Sequence, residues 1–398
     1  MWWLLPALWS APALASLPLA TAPVGAAWLA PWIAPGPARL AQVGVLLGAA
    51  IGFFGFYARL GFALVTVCGL YLMAIPQFFG GVQHYHHLLW LSALLAVSPA
   101  SDALALGQWR PVPGRSLGWG LPTRVAWALL ACVYFFPGLH KLWAQGFGWA
   151  GENLTTLMYW KWAQSWDFEP LTRLDHTPSL LAAGGVAVLL FEVGAPLLLY
   201  NRWTRLCFVL VATAFHVGTA LWFNIHFWGL LVCFAVLLPF PEPTQAQVER
   251  PVRPAAVVGA LLLSGVVASG LTATTQGWPF ACYPTFEREV PRWMPTLVLV
   301  GLDADGAEHP VPERALADAA HSQAFYSEAW GVSGLYGPIN AEALDAFARR
   351  ALLRPAVRAA LGPSSRVRVV LAQRSVDPDA PELTRGEVLL EVEVAPRR

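Results

Sequence analysis

Nine apolar runs, at approximately residues 3–33, 40–57, 61–79, 84–105, 124–144, 179–200, 205–222, 227–241 and 254–274, constrain this chain more than any other feature. A helix that crosses a bilayer needs roughly 20 mostly apolar residues, and most of these runs supply them. The run at 227–241 is short enough to be a half-buried helix instead. The first is interrupted by Pro6, Pro12, Pro18 and Pro23. It follows a Met-Trp-Trp-Leu-Leu start with no basic n-region, so it reads as a retained span and not as a cleaved leader.

The charge distribution separates two parts. Only 12% of the 398 residues are charged, against roughly 25% in ordinary soluble domains, while 57% are hydrophobic and the mean hydropathy is +0.52. Residues 1–276 form the apolar part, and residues 277–398 carry more than half of the charged residues. The sequence predicts an all-α polytopic membrane bundle of about nine transmembrane helices over 1–276, followed by a small C-terminal α+β domain over 277–398. A net charge of +1 provides no basic field for nucleic acid, which is excluded as a partner. The partner of the first part is membrane lipid.

Arg59, the group Arg110, Arg115 and Arg124, the pair Arg202 and Arg205, and the pair Arg250 and Arg253 flank alternate loops. With nine crossings they share one side, which the positive-inside rule makes cytoplasmic. The C-terminal domain then lies outside the cytoplasm, as expected for a multi-pass protein of a bacterial inner membrane. Trp149, Tyr159, Trp160, Trp162 and Trp166 crowd the 145–178 loop and predict an interfacial helix at about 152–165. In the C-terminal domain, strands are expected at Thr296–Leu302, Val367–Ala372 and Glu387–Val394, and helices at Pro312–Ser327 and Ala341–Leu353.

Ionisable groups at membrane depth are costly and face a bundle interior or cavity. The candidates here are His84, His86, His87, His140, His216, His226, Lys141 and Glu192. In the nine-span topology His84 opens the fourth span, Lys141 closes the fifth, and His216 and His226 bracket the turn between the seventh and eighth. All four approach the non-cytoplasmic face. A desolvated Lys141 amine would be a competent general base, and the alternative is a lysine snorkelling to the interface from a helix end. His84 and His87 share a helical face, whereas His86 points elsewhere. That pair could hold a metal, bind a substrate hydroxyl, or form an interfacial polar collar. A buried Glu192 is either protonated or paired with a cation, and an interhelical hydrogen bond is its structural reading. No Cys-x-x-Cys pair exists among the five cysteines, and the histidines are too few for a di-iron centre.

Four segments resemble the vitamin K-dependent γ-carboxylase-like membrane proteins, also called the horizontally transferred transmembrane (HTTM) domain family. Gln83-His84 precedes an apolar helix that ends Val97-Ser98-Pro99. Pro137-Gly138-Leu139-His140-Lys141-Leu142-Trp143 is followed by Trp149 and Gly151. Glu192 and Pro196 precede Asn201-Arg202-Trp203-Thr204-Arg205, and Phe215-His216 precedes Leu221-Trp222-Phe223-Asn224-Ile225 and Phe227. Two departures stand out: a longer interval between Lys141 and Trp149, and His226 where the family pattern has glycine.

The resemblance implies Lys141 as the catalytic base, with His84 assisting. His87, His140, Trp143, Glu192, His216 and His226 are then the candidate substrate-binding residues. It also implies a reduced quinone similar to vitamin K hydroquinone, used with oxygen and carbon dioxide, no metal, and an exported peptide or protein carboxylated on glutamyl side chains. Two other classes stay open: a non-catalytic lipid- or peptide-binding membrane module, and a metal or haem protein ligated by His84, His87, His216 and His226.

Overall fold

The computed structural model describes residues 6–19, 23, 25–79, 85–100, 117–163, 168–238, 252–274, 277–280, 282, 286–312, 341–380, 382–384 and 386–393. Among the described residues, ten helices form the first part: α1 (Pro6–Leu14), α2 (Pro35–Phe54), α3 (Ala58–Ala74), α4 (His86–Val97), α5 (Leu117–Gln145), α6 (Glu152–Ala163), α7 (Pro178–Leu198), α8 (Arg202–Phe223), α9 (Trp228–Cys233) and α10 (Arg253–Leu271). Among the described residues, six stretches are long and apolar enough to cross a membrane: Pro35–Phe54, Ala58–Phe78, Gly120–Ala150, Pro178–Leu197, Arg202–Phe223 and Arg253–Leu271. By length and composition these helices suggest a multi-pass membrane protein.

The other three apolar runs are shorter as helices. The 84–105 run is helical over His86–Val97, and the 227–241 run over Trp228–Leu237. At about 1.5 Å per residue neither covers the roughly 30 Å hydrocarbon core. The first run forms α1 and a separate 3-10 turn at Ala27–Trp32, divided where the prolines fall.

Small residues set the helix spacing. A Cβ on Gly48 would lie 2.6 Å from the Gly61 carbonyl oxygen, so the α2 and α3 backbones touch where no side chain intervenes. The outer side of α2 carries exposed Leu40, Val43, Leu46 and Leu47, a face suited to acyl chains and not to water. Inside the bundle, Leu129, Leu130, Phe208, Leu230 and Leu237 are buried in one apolar cluster formed by α4, α5, α7, α8, α9 and α10.

The C-terminal domain is a four-stranded antiparallel sheet in the order β2-β1-β3-β4. Its strands are β1 (Trp293–Leu302), β2 (Glu308–Pro310), β3 (Arg366–Ser375) and β4 (Glu387–Glu393), and α11 (Ala341–Leu352) and α12 (Pro355–Leu361) precede β3. Leu299, Val367 and Val369 of the sheet are buried with Phe347 and Ala348 of α11 and Val357 of α12. The three expected strands and the 341–353 helix are present, and a helix, α6, forms where one was expected at about 152–165. Most of the helix expected at Pro312–Ser327 lies outside the described residues. Strand β2 and helix α12 were not anticipated. Strand β2 follows a tight turn in which Asp303 Oδ1 accepts the Asp305 and Ala307 N–H groups and Gly306 takes φ +83°.

Candidate functional site

On α5, Tyr134, Gly138 and Lys141 recur at helical spacing and present one face. Gly138 is where α7 comes closest. A Cβ there would lie 2.5 Å from Glu192 Cβ and 3.0 Å from the Val193 nitrogen. That approach lets Lys141 Nζ donate to both Glu192 carboxylate oxygens, Oε1 and Oε2, at 2.8 Å each. Lys141 is 4% exposed and Glu192 5%. Either charge alone at this depth would be strongly unfavourable, and the two together leave no net charge in the low-dielectric interior.

Helix α5 continues through a 3-10 turn at Gly146–Ala150, so Lys141 lies inside the Gly120–Ala150 stretch and not at its end. Its side chain does not snorkel. Instead the ammonium sits 4.6 Å from the centroid of the Trp149 ring, a cation–π contact in a desolvated setting.

Residues 286–292, which lead into β1, lie as an extended strap over this end of the bundle. Gln145 Nε2 donates to the Glu287 carbonyl and Trp149 Nε1 to the Phe286 carbonyl. Asn153 Nδ2 donates to the Arg288 carbonyl while its Oδ1 accepts the Val290 N–H. Arg292 pairs with Glu152. Trp149 is therefore shared: its ring faces Lys141 and its N–H holds the strap. Beside it is a cavity of about 480 Å³ lined by Gln145, Glu152, Asn153, Thr156, Glu289 and Arg292, among others.

A second polar pair lies deeper. Tyr134 Oη is 2.6 Å from His216 Nε2. Tyr134 meets Phe191 and Phe208 edge-on at 5.4 and 5.1 Å between centroids, and His216 meets Phe227 at 5.2 Å.

The contacts of the other described candidates lie with other partners. His140 Nε2–H donates to the Gly270 carbonyl at 2.6 Å, turning that ring towards α10. His87 is buried, 6.4 Å from the Tyr85 ring. His86, expected to point away from His87, is buried as well, against Trp90 at 5.1 Å and Trp278 at 6.3 Å. His226 is exposed beside Trp228. Trp143 is 85% exposed and faces out of the bundle. His84 lies outside the described residues.

Among the described residues, the one group spaced to share an ion is Asp175, His176 and Asp379, which contains none of the expected histidine ligands. Arg173 already fills it, reaching Asp175 at 2.7 Å and Asp379 at 2.6 Å. Tyr159 Oη donates to Asp175 Oδ2 at 2.9 Å. Burial would raise the Asp175 carboxyl, but the Arg173 and Tyr159 hydrogen bonds outweigh it and hold it below the usual carboxylate range. Arg173 also holds Asp379 low. Burial first, then the bond to Asp175, pushes the Tyr159 hydroxyl up to about 12. The group is a clasp between the α6–α7 loop and the C-terminal domain.

Fold and site define a mostly helical protein with six helices long and apolar enough to cross a membrane among the described residues, an internal lysine–glutamate pair and an appended antiparallel sheet. No protein-family model, curated protein or solved structure matches the chain.

Proposed function

We propose that this protein is a quinol-dependent membrane enzyme of the γ-carboxylase type, in which Lys141 is the base and Glu192 its proton partner. The observation that carries the reading is the dry, two-pronged contact between Lys141 and Glu192 under the Trp149 ring. In a low-dielectric interior the charged pair and the neutral amine–acid pair differ by one proton moved along a short hydrogen bond. Glu192 holds that proton while the Lys141 amine takes one from an acidic hydroxyl. The donor set fits a flat hydroxylated ring: an amine to accept the hydroxyl proton, a carboxylate to relieve the amine, and an indole plane to stack.

A reduced quinone supplies the electrons for oxygen chemistry, and carbon dioxide the new carboxyl group. Trp149 and the 286–292 strap keep water from the amine. His84 assists by polarising the same hydroxyl. The acceptor is a glutamyl side chain of an exported peptide or protein. It reaches the site from the outer face of a bacterial inner membrane, where the C-terminal domain lies. With the short α4 and α9 segments carrying the chain back across the bundle, so that α10 runs parallel to α5 (Gly259 against Val125, Gly270 against Phe136), the arginines at the starts of α3, α8 and α10 fall on one side and support that orientation.

The reading is tested in purified protein in lipid nanodiscs, by following oxygen uptake with a reduced naphthoquinone and incorporation of labelled carbon dioxide into a glutamate-rich peptide. Lys141→Met should reduce both at least about 100-fold, as expected for loss of a general base. Equal rates in wild type and variant would overturn it.

A second reading has one observation in its favour. The close approach at Gly138 and the two equal Lys141–Glu192 bonds also suit a brace between α5 and α7 in a non-catalytic lipid- or peptide-binding module. It predicts that wild-type protein shows no quinol-dependent uptake.

A further inference from the structure

Tyr134 and His216 are buried polar residues to which the reading above gives no role. Tyr134 lies on the α5 face that carries Gly138 and Lys141, about 10 Å along the axis from Lys141. Its hydroxyl is 2.6 Å from His216 Nε2 on α8. Across the α5–α7 contact the Tyr134 ring meets Phe191, the neighbour of Glu192 on α7, at 5.4 Å between centroids. His216 is 3% exposed and ringed by Phe215, Phe227 and Phe234. Its Nδ1 has no hydrogen-bond partner among the described residues.

An unpartnered nitrogen in a dry interior is destabilising, and a pair of apolar residues of similar shape would avoid that. The bond between the two rings has two forms. With the ring proton on Nδ1, Tyr134 O–H donates to Nε2. With the ring proton on Nε2, His216 donates to the Tyr134 oxygen, and the phenol hydrogen is released to point away from His216. Going from one form to the other moves one ring proton from Nδ1 to Nε2 and turns one hydroxyl. No proton is gained or lost.

We infer that Tyr134 and His216 are positioning residues of the Lys141–Glu192 site, the charge state of that pair selecting the His216 tautomer through the orientation of the Tyr134 hydroxyl. A carboxylate on the α7 side favours the form whose phenol hydrogen is free to turn towards it. When Glu192 holds a proton, that preference is lost and the hydroxyl returns to His216. The two pairs therefore act as one unit, with the deeper pair reporting and stabilising the proton state of the shallower one. Its use in catalysis rests on the proposed function, but the coupling itself does not.

The test is 15N nuclear magnetic resonance of histidine-labelled full-length protein in nanodiscs, without quinol, with His216→Asn used to assign the His216 signals. Ring nitrogens with and without a proton give distinct shifts, so the tautomer ratio is read directly. Replacing the whole pair, as Lys141→Met with Glu192→Leu, should change that ratio at least about fivefold, the lower range of coupling between sites. Adding Tyr134→Phe should abolish the response. A second measurement needs only Tyr134→Phe in the native background, where His216 should lose its single preferred form. An unchanged ratio in either the pair-replaced protein or Tyr134→Phe overturns the inference, as does a response that persists without the Tyr134 hydroxyl. Absence of quinol turnover would overturn the proposed function and leave this result standing.

Discussion

Two ion pairs of nearly equal length hold different parts of this molecule together. Lys141 meets Glu192 at 2.8 Å inside the bundle, and Arg173 meets Asp379 at 2.6 Å on its rim. The first pair has side chains 5% and 6% exposed, the second 33% and 60%. Distance therefore says little about either pair, and surroundings decide what each can do. Water screens the rim pair and replaces a lost partner. The inner pair has no such reserve, so losing one member strands a charge, and moving one proton is the cheapest way to change its electrostatics.

The largest effect should come from splitting the inner pair. Lys141→Met or Glu192→Leu alone should destabilise the bundle by about 3–5 kcal/mol, read as a lower thermal midpoint in detergent. The double replacement should recover most of the loss. If each single variant melts like wild type, the pair is not desolvated and the contrast with the rim fails.

Next in size is Gly138→Val. Its Cβ meets backbone of α7, which cannot rotate away, so α5 and α7 must separate at a penalty of about 1–3 kcal/mol. The same substitution should lengthen the Lys141–Glu192 contact, seen as increased reactivity of Lys141 towards a membrane-permeant amine reagent.

Asn153→Ala removes two hydrogen bonds to the strap, one given and one accepted. Each is worth about 1 kcal/mol. Amide exchange over residues 286–292 and tryptic cleavage after Arg288 should both speed up, while the unfolding midpoint of the bundle hardly moves.

The smallest effect belongs to the clasp. Asp175 and Asp379 are both held below the usual carboxylate range when folded, so their contribution is present above about pH 4. It is lost as pH falls further, through the lowered folded values. Amide exchange around residues 376–380 should therefore rise on acidification below about pH 4. Asp379→Asn should show fast exchange at neutral pH and a weaker acid response.

The residues that could be read from sequence are those whose chemistry conflicts with their neighbours. Lys141 and Glu192 stand out because a charge in an apolar run needs a reason, and the structure pairs them. Tyr134 did not stand out, since a tyrosine among phenylalanines has the pattern of any core residue. Only its place on the Lys141 face of α5 could have singled it out. The strap was invisible for another reason: Gln145, Trp149 and Asn153 bind its backbone, and backbone groups are the same in every sequence. Trp143 and His140 were drawn to the site by adjacency to Lys141. A helix turns about 100° per residue, so immediate neighbours face different partners. Span counting has the same weakness, because hydropathy registers apolar residues and not whether a run such as 84–105, helical over His86–Val97, stays helical throughout.

Exchanging the two inner side chains, as Lys141→Glu with Glu192→Lys, tests most directly whether their arrangement is chemical and not only a brace. The unfolding midpoint and quinol-dependent oxygen uptake would be measured on the same nanodisc preparation. Because the swap keeps one charge of each sign in the same dry gap but moves the amine from α5 to α7, away from Trp149, the midpoint should return close to wild type and uptake should vanish. Uptake equal to wild type in the exchanged protein, or no uptake in wild type itself, would contradict the account.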